Sequence, residues 1–220
     1  MPNTFKITIL ETEDGSSTLA SSRFENQSYH SNRGAISESK HVYTRFLNDG
    51  DRVLEIGFGS GLNTLLSLES GFHLDYTSIE LYPIDIETVK KLSFYNEELE
   101  KLHTSPWEEW INISPIFKFR KIHTDITKTD SLPHYEDDEK YNIVFFDAFS
   151  PDVVPHQWSY EVFSKIYELM SKDGILLTYS AKGDVKRALR AAGFTVKRLE
   201  GALGKHNMLK AIRGTSNNLP

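Results

Sequence analysis

The segment from Val53 to Asn63 constrains the fold of this chain more than any other stretch. A β-branched and apolar run, Val53-Leu54-Glu55-Ile56, leads into Gly57, Gly59 and Gly61 at alternate positions, and a helix-like pattern follows. Strand, tight glycine turn and helix start in that order mark the ligand edge of an open α/β sheet. The spacing is G-x-G-x-G rather than the G-x-G-x-x-G that cradles a dinucleotide pyrophosphate.

A glutamate two residues before the first glycine, with this tighter spacing, fits S-adenosylmethionine better than NAD. That cofactor has no phosphate, so the loop must let backbone approach its methionine and ribose portions, which glycine permits by lacking Cβ. Glu55, Gly57, Phe58, Gly59, Gly61 and Asn63 are therefore candidate cofactor contacts. A second strand-like run, His73 to Glu80, ends about 20 residues beyond the loop, where an acid commonly accepts hydrogen bonds from ribose hydroxyls. Glu80 is the candidate.

The alternation of patterns predicts strands at 52–57, 74–80, 117–123, 141–147, 173–180, 194–200 and 207–213. Helices are expected at 62–70, 83–103 (broken), 157–171 and 184–192. This is an α/β fold with a parallel, doubly wound sheet. The short link Gly201 to Lys205 implies that the last two strands pair antiparallel. Seven strands closed by such a hairpin are the arrangement of a class I S-adenosylmethionine-dependent methyltransferase, Rossmann-like and mostly parallel. Ahead of it, residues 1–50 read as an extension packed on the core. Phe5–Leu10 and Thr18–Tyr29 are its strands, and a helix runs from about Ser37 to Leu47. The methyltransferase domain is 51–213, and 214–220 reads as a disordered tail.

The chain of 220 residues contains no cysteine. That excludes a thiolate zinc site, a cysteine-ligated iron–sulfur cluster and attack on a pyrimidine carbon through a cysteine adduct. The methyl acceptor should then be a nitrogen or oxygen already nucleophilic. No apolar stretch is long enough to span a bilayer and no signal-peptide pattern opens the chain, so a cytoplasmic protein without membrane attachment is expected. No metal is required.

The net charge of −6 is unevenly spread. Lys182 to Arg213 holds nine basic and two acidic residues, and the rest of the chain is net acidic. The basic third can hold a phosphate backbone, or it can be a solvated charged helix.

Three further strand ends carry candidate chemistry. Asp147, in Phe145-Phe146-Asp147-Ala148-Phe149-Ser150-Pro151, falls beside the glycine loop as proton acceptor and cofactor contact, or else caps a turn. Asp125 could accept from the adenine amino group or serve the turn ahead of Ile126. Phe149 could stack on a base or belong to the core. Ser180 and Lys182 end the fifth strand, and Lys205 with His206 precedes the last; these cations could meet phosphate or simply face solvent.

At these residues the chain resembles the bacterial tRNA 5-methylaminomethyl-(2-thio)uridine methyltransferases of the MnmC/MnmD type. The resemblance runs from about Ser22 to Ala211. It rests on Tyr29-His30-Ser31, Gly34 and Glu38-Ser39, on Glu55-Ile56-Gly57-Phe58-Gly59-Ser60-Gly61-Leu62-Asn63, and on Asp147-Ala148-Phe149-Ser150-Pro151. Trp158-Ser159, Thr178-Tyr179-Ser180-Ala181 and Gly204-Lys205 extend it. It implies N-methylation of 5-aminomethyluridine, with or without 2-thiolation, at the wobble position of the tRNA anticodon loop. Asp147 would lie at the reacting amine. Tyr29, His30, Ser31, Glu38, Phe149, Pro151, Ser180, Lys182 and Lys205 would contact the substrate. Many family members carry a fused FAD-dependent oxidase domain; the expectation for this chain is the stand-alone methyltransferase. Where the family often has Lys-Arg-Glu, this chain has Lys205-His206-Asn207. A small-molecule amine methyltransferase, an aminopropyltransferase-like enzyme and a non-catalytic S-adenosylmethionine-binding protein remain the alternatives.

Overall fold

A computed structural model of the chain describes residues 5–128, 140–202 and 207–214. An eight-stranded sheet forms its centre. In chain order its strands are β3 (Arg52–Ile56), β4 (Leu74–Glu80), β5 (Ile111–Ser114), β6 (Phe117–His123), β7 (Tyr141–Phe146), β8 (Met170–Thr178), β9 (Phe194–Leu199) and β10 (Met208–Arg213). The spatial order is β5-β6-β4-β3-β7-β8-β10-β9. Strands β6, β4, β3, β7 and β8 run parallel, while β10 is antiparallel to both β8 and β9. The strand order, not the strand direction, reverses between β3 and β7, the two innermost strands, whose parallel C-terminal ends therefore border the ligand crevice.

Both faces are covered, which is why successive rather than alternate residues of β3 and β7 are buried. Helices α5 (Tyr160–Leu169) and α6 (Gly183–Ala191) bury Phe163, Ile166, Val185 and Leu189 against one face. Helix α1 (Ala35–Val42), α2 (Leu62–Leu68), α3 (Ile86–Val89) and α4 (Glu97–Thr104) belong to the other side, where Leu65, Val89, Leu99 and Leu102 join the second core cluster. Ser159 and Asn96 cap α5 and α4 by accepting from the amides of Val162 and Leu99.

Several boundaries depart from the sequence reading. The sheet has an eighth strand, β5, an edge strand with the alternating Ile111-Asn112-Ile113-Ser114 pattern that hairpins antiparallel onto β6. The helix expected over 157–171 begins as a 3-10 turn at Pro155–Trp158 and stops at Leu169, because Met170 already pairs with Tyr141. Near the N-terminus, β1 (Ile7–Glu11) and β2 (Ser17–Ser21) form a separate antiparallel hairpin. The strand expected as far as Tyr29 ends at Ser21. A 3-10 turn follows, and Glu25 and Asn26 adopt positive φ (53° and 59°), after which the chain returns beside β2, with Ser28 bridging Ala20 and the Tyr29 amide donating to the Leu19 carbonyl.

Candidate active site

Two clefts meet at the end of β7. The first is lined by Gly57, Phe58, Gly59 and Asn63 of the glycine loop, by Ile79 to Tyr82 at and just beyond the end of β4, by Thr124 and Ile126 after β6, and by Asp147 to Phe149. The second is lined by Gln27 to Asn32, Glu38, Asp147 to Phe149 and Tyr179. Tyr29, His30, Asp147, Ala148 and Phe149 border both.

The glycine loop owes its shape to close approaches. Gly57 has φ 94°, and a Cβ there would stand 2.7 Å from the Asp147 carbonyl oxygen. Gly59 has φ 51°, and a Cβ there would meet the Tyr29 ring at 3.0 Å. The loop is fastened by Glu80, whose Oε2 accepts from the Gly59 amide (2.8 Å) while Oε1 accepts from the Tyr82 amide (2.7 Å). Burial raises the Glu80 pKa, opposed by those backbone donors.

Asp147 is held from two sides. The Tyr43 hydroxyl donates to Oδ1 at 2.9 Å, and the Asn63 amide donates to Oδ2 at 2.8 Å. Tyr43 is fully buried, and burial followed by the Asp147 charge pushes its hydroxyl pKa well above the ordinary value. Tyr179, whose hydroxyl donates to the Ala148 carbonyl at 2.9 Å, is raised by burial, then by Asp147 and Glu38. Both carboxylates thus converge on the same corner. Glu38 is 5% exposed and its Oε2 accepts from the Ser31 amide at 2.6 Å, tying α1 to the 29–31 segment. An aromatic group closes the top: Phe24 stacks on Phe149 at 3.9 Å and Tyr29 meets Phe149 edge-on at 4.8 Å.

Residues 90–214 match the family described as S-adenosyl-L-methionine-dependent methyltransferase. The chain belongs to that family. It is 28% identical over 205 residues to the tRNA 5-methylaminomethyl-2-thiouridine biosynthesis bifunctional protein MnmC of Azoarcus sp., covering 83% of this chain and 32% of that protein. The protein of the same name from Leptospira interrogans is 30% identical over 204 residues, covering 82% and 32%. The chain thus spans about a third of the length of these curated relatives. The crystal structure of MNMC2 from Aquifex aeolicus superposes with a TM-score of 0.78 at 24% identity, covering 96% of this chain and 71% of that one.

S-adenosyl-L-methionine is accordingly the cofactor, and the first cleft suits it. The absence of a Cβ at Gly57 and Gly59 lets the Asp147 backbone and the Tyr29 ring close on the loop, and these glycines line the cleft. Glu80 offers carboxylate acceptors for a diol, and Ile79 and Ile126 offer apolar surface for a base.

Other residues singled out in the sequence stand elsewhere in this methyltransferase. Glu55 lies under the loop rather than in its wall. It is 0% exposed, its Oε2 accepts from the Thr64 (2.8 Å) and Ser78 (2.6 Å) hydroxyls, and burial lifts its pKa to about 8. The Asp125 Oδ1 accepts from the amide and hydroxyl of Thr127, so it fastens its own turn while Thr124 and Ile126 face the cleft. Gly61 leads into α2 with φ 78°. Pro151 starts the turn that returns Val153 and Val154 to the Ser150 carbonyl, and Ser180 is buried; neither lines a cleft. Lys182 pairs with Asp152 at the surface. Lys205 and His206 lie outside the described residues, as does 215–220.

Tyr43 was not singled out in the sequence, and Tyr179 was named only within the Thr178–Ala181 motif at the end of the fifth strand, without a role of its own. A tyrosine within a buried pattern needs a partner for its hydroxyl, and that was the available signal. Nothing local announced that the partner of Tyr43 would be Asp147, 104 residues away.

Proposed function

We propose that this methyltransferase transfers a methyl group to the nitrogen of an aminomethyl substituent on a tRNA wobble uridine. The carrying observation is the second cleft. Its wall presents two carboxylates, Asp147 and Glu38, and it shares Asp147 with the cofactor cleft. The likeness to about a third of the tRNA 5-methylaminomethyl-2-thiouridine biosynthesis proteins MnmC supports the tRNA acceptor.

The chemistry asks the chain for two things. An alkylamine of pKa ~10.4 is charged at pH 7 by about 3.4 units, roughly 4.6 kcal/mol, so its proton must be removed at the site. Asp147 is oriented by Tyr43 and Asn63 to accept that proton or direct the N–H bonds. Glu38 adds a second negative charge that draws the ammonium form into the cleft. Phe24, Tyr29 and Phe149 cover the corner and limit water there. Bound S-adenosyl-L-methionine supplies the electrophilic methyl group. The chain's own contribution is to hold the amine in line with it, which replaces a bimolecular encounter.

The test is methyl transfer from labelled S-adenosylmethionine to tRNA from cells lacking the modification, followed by nucleoside analysis. A labelled 5-methylaminomethyluridine, free or 2-thiolated, is the expected product. Label in small amines and none in tRNA would overturn the proposal.

A further inference from the structure

We infer that the edge of the sheet formed by β9, β10 and α6 is a docking surface for the sugar-phosphate backbone of the RNA that carries the acceptor, reaching the protein on both faces of β9. This rests on the tRNA reading above and adds where the RNA body lies.

On one face, Lys186 and Arg190 stand one turn apart on α6, and Arg198 projects from β9. The three are close enough that Arg190, then burial, then Arg198 lower the Lys186 pKa. On the other face, Lys197 of β9 lies directly opposite Lys210 of β10. Arg45 and Lys210 both approach the Phe46 ring, at 4.8 and 5.6 Å from its centroid.

Among the described residues none of these six cations forms an ion pair with an acid. From Lys182 to Arg213 only Asp184 and Glu200 are acidic, and Asp184 is taken by Arg187. Like charges opposite one another weaken a sheet pair. Shielding an edge strand from aggregation needs only a lysine or two on β9. Six clustered cations on an otherwise acidic chain exceed that need and match a polyanion.

The surface connects to the acceptor cleft through α1. Glu38 lines the cleft, and three residues later the His41 Nε2 meets the Glu200 carbonyl at 2.9 Å, at the end of β9. Three helical residues rise about 4.5 Å, so the end of β9 lies within one turn of α1 from the acceptor cleft.

Two triple variants test this: Lys186→Gln/Arg190→Gln/Arg198→Gln, and Arg45→Gln/Lys197→Gln/Lys210→Gln. Each is assayed with tRNA from cells lacking the modification, at 50 and 200 mM salt. Filter binding of tRNA and calorimetric binding of S-adenosylmethionine accompany the kinetics. The expected result for each triple is a KM for tRNA raised about 10-fold or more, with the log–log salt slope reduced by about 2 to 3. kcat should stay within about 2-fold, with cofactor binding unchanged, since neither set touches the clefts. An unchanged KM and salt slope in both triples overturns the docking surface while the wild-type activity keeps the functional proposal intact. Self-association of the variants with unchanged RNA affinity overturns it too, and assigns the charges to edge protection. If wild-type protein methylates no RNA, the functional proposal fails; if it binds none, the docking surface fails. Should one triple not fold, its failure to bind the cofactor reveals this, and the other triple and Lys186→Gln alone decide.

Discussion

On one side of Asp147 lies the loop from β3 to α2; on the other lies the segment from Ser22 to Tyr43. The loop is made by backbone. Gly57 and Gly59 take conformations and approaches that a side chain would block, and the Glu80 carboxylate fastens the Gly59 amide. The Ser22–Tyr43 segment contains the short helix α1, one 3-10 turn and an isolated bridge at Ser28, and side chains fix it. Asp14 accepts from the hydroxyls of Thr12, Ser16 and Ser37 and from the Ser37 amide, which ties the β1–β2 turn to α1. The Thr18 hydroxyl accepts from the His30 amide, Glu38 accepts from the Ser31 amide, and Tyr43 donates to Asp147. The wall of the first cleft is thus specified by what is missing from two residues. The wall of the second cleft, proposed to take the acceptor, is specified by polar partners far apart in sequence.

That difference predicts different failures. Gly57→Ala has the largest effect: its Cβ would stand 2.7 Å from the Asp147 carbonyl at φ 94°, where a side chain also strains the backbone. S-adenosylmethionine affinity should fall by about 100-fold or more by calorimetry. Retained affinity would break the contrast at its first element. Tyr43→Phe acts on the junction. It removes the donor to Asp147 Oδ1 and should cost about 1–2 kcal/mol in denaturant unfolding and about 10-fold in turnover, with cofactor affinity little changed. Glu38→Gln keeps a carbonyl acceptor for the Ser31 amide but removes the charge. KM for tRNA should rise by roughly 3- to 10-fold, and kcat should change less.

The effect furthest from the chemistry is a pH dependence of stability beneath the glycine loop. Burial raises the folded Glu55 pKa to about 8, above its unfolded value, so folding favours the protonated acid. Its contribution is fully present below pH about 4.5 and is lost as pH rises through 8. Glu55→Gln should flatten stability between pH 5 and 8, measured by urea unfolding. An unchanged slope would show that Glu55 folds as a carboxylate.

The same contrast explains what was legible in the sequence. The order of strands and helices, the glycine loop and the antiparallel final hairpin follow from periodicity and spacing, which are local. The edge strand β5 carried its alternation in four residues, Ile111 to Ser114, too few to stand out beside the helical pattern before it. Asp125 showed the limit of a motif: an aspartate two residues before Thr127 makes a turn as readily as a ligand contact. Glu55 showed another, since an acid ahead of glycines reads the same whether it faces the cofactor or props the loop from beneath. The acceptor wall could be read only by resemblance, because Tyr43, Glu38 and Tyr179 acquire meaning from their distance to Asp147 and not from their neighbours in the chain.

Asp147 borders both clefts and is the residue at which the reacting amine is proposed to sit. The most direct measurement compares Asp147→Asn with wild type on one 5-aminomethyluridine-bearing tRNA. Single-turnover methyl transfer is followed across pH 6–10, and S-adenosylmethionine binding is measured in parallel. Transfer at pH 7 should fall by about 100-fold or more, with cofactor affinity within about 3-fold, and recover toward high pH as the amine loses its own proton. Wild-type rates across the whole range would remove Asp147 from the chemistry and contradict the account.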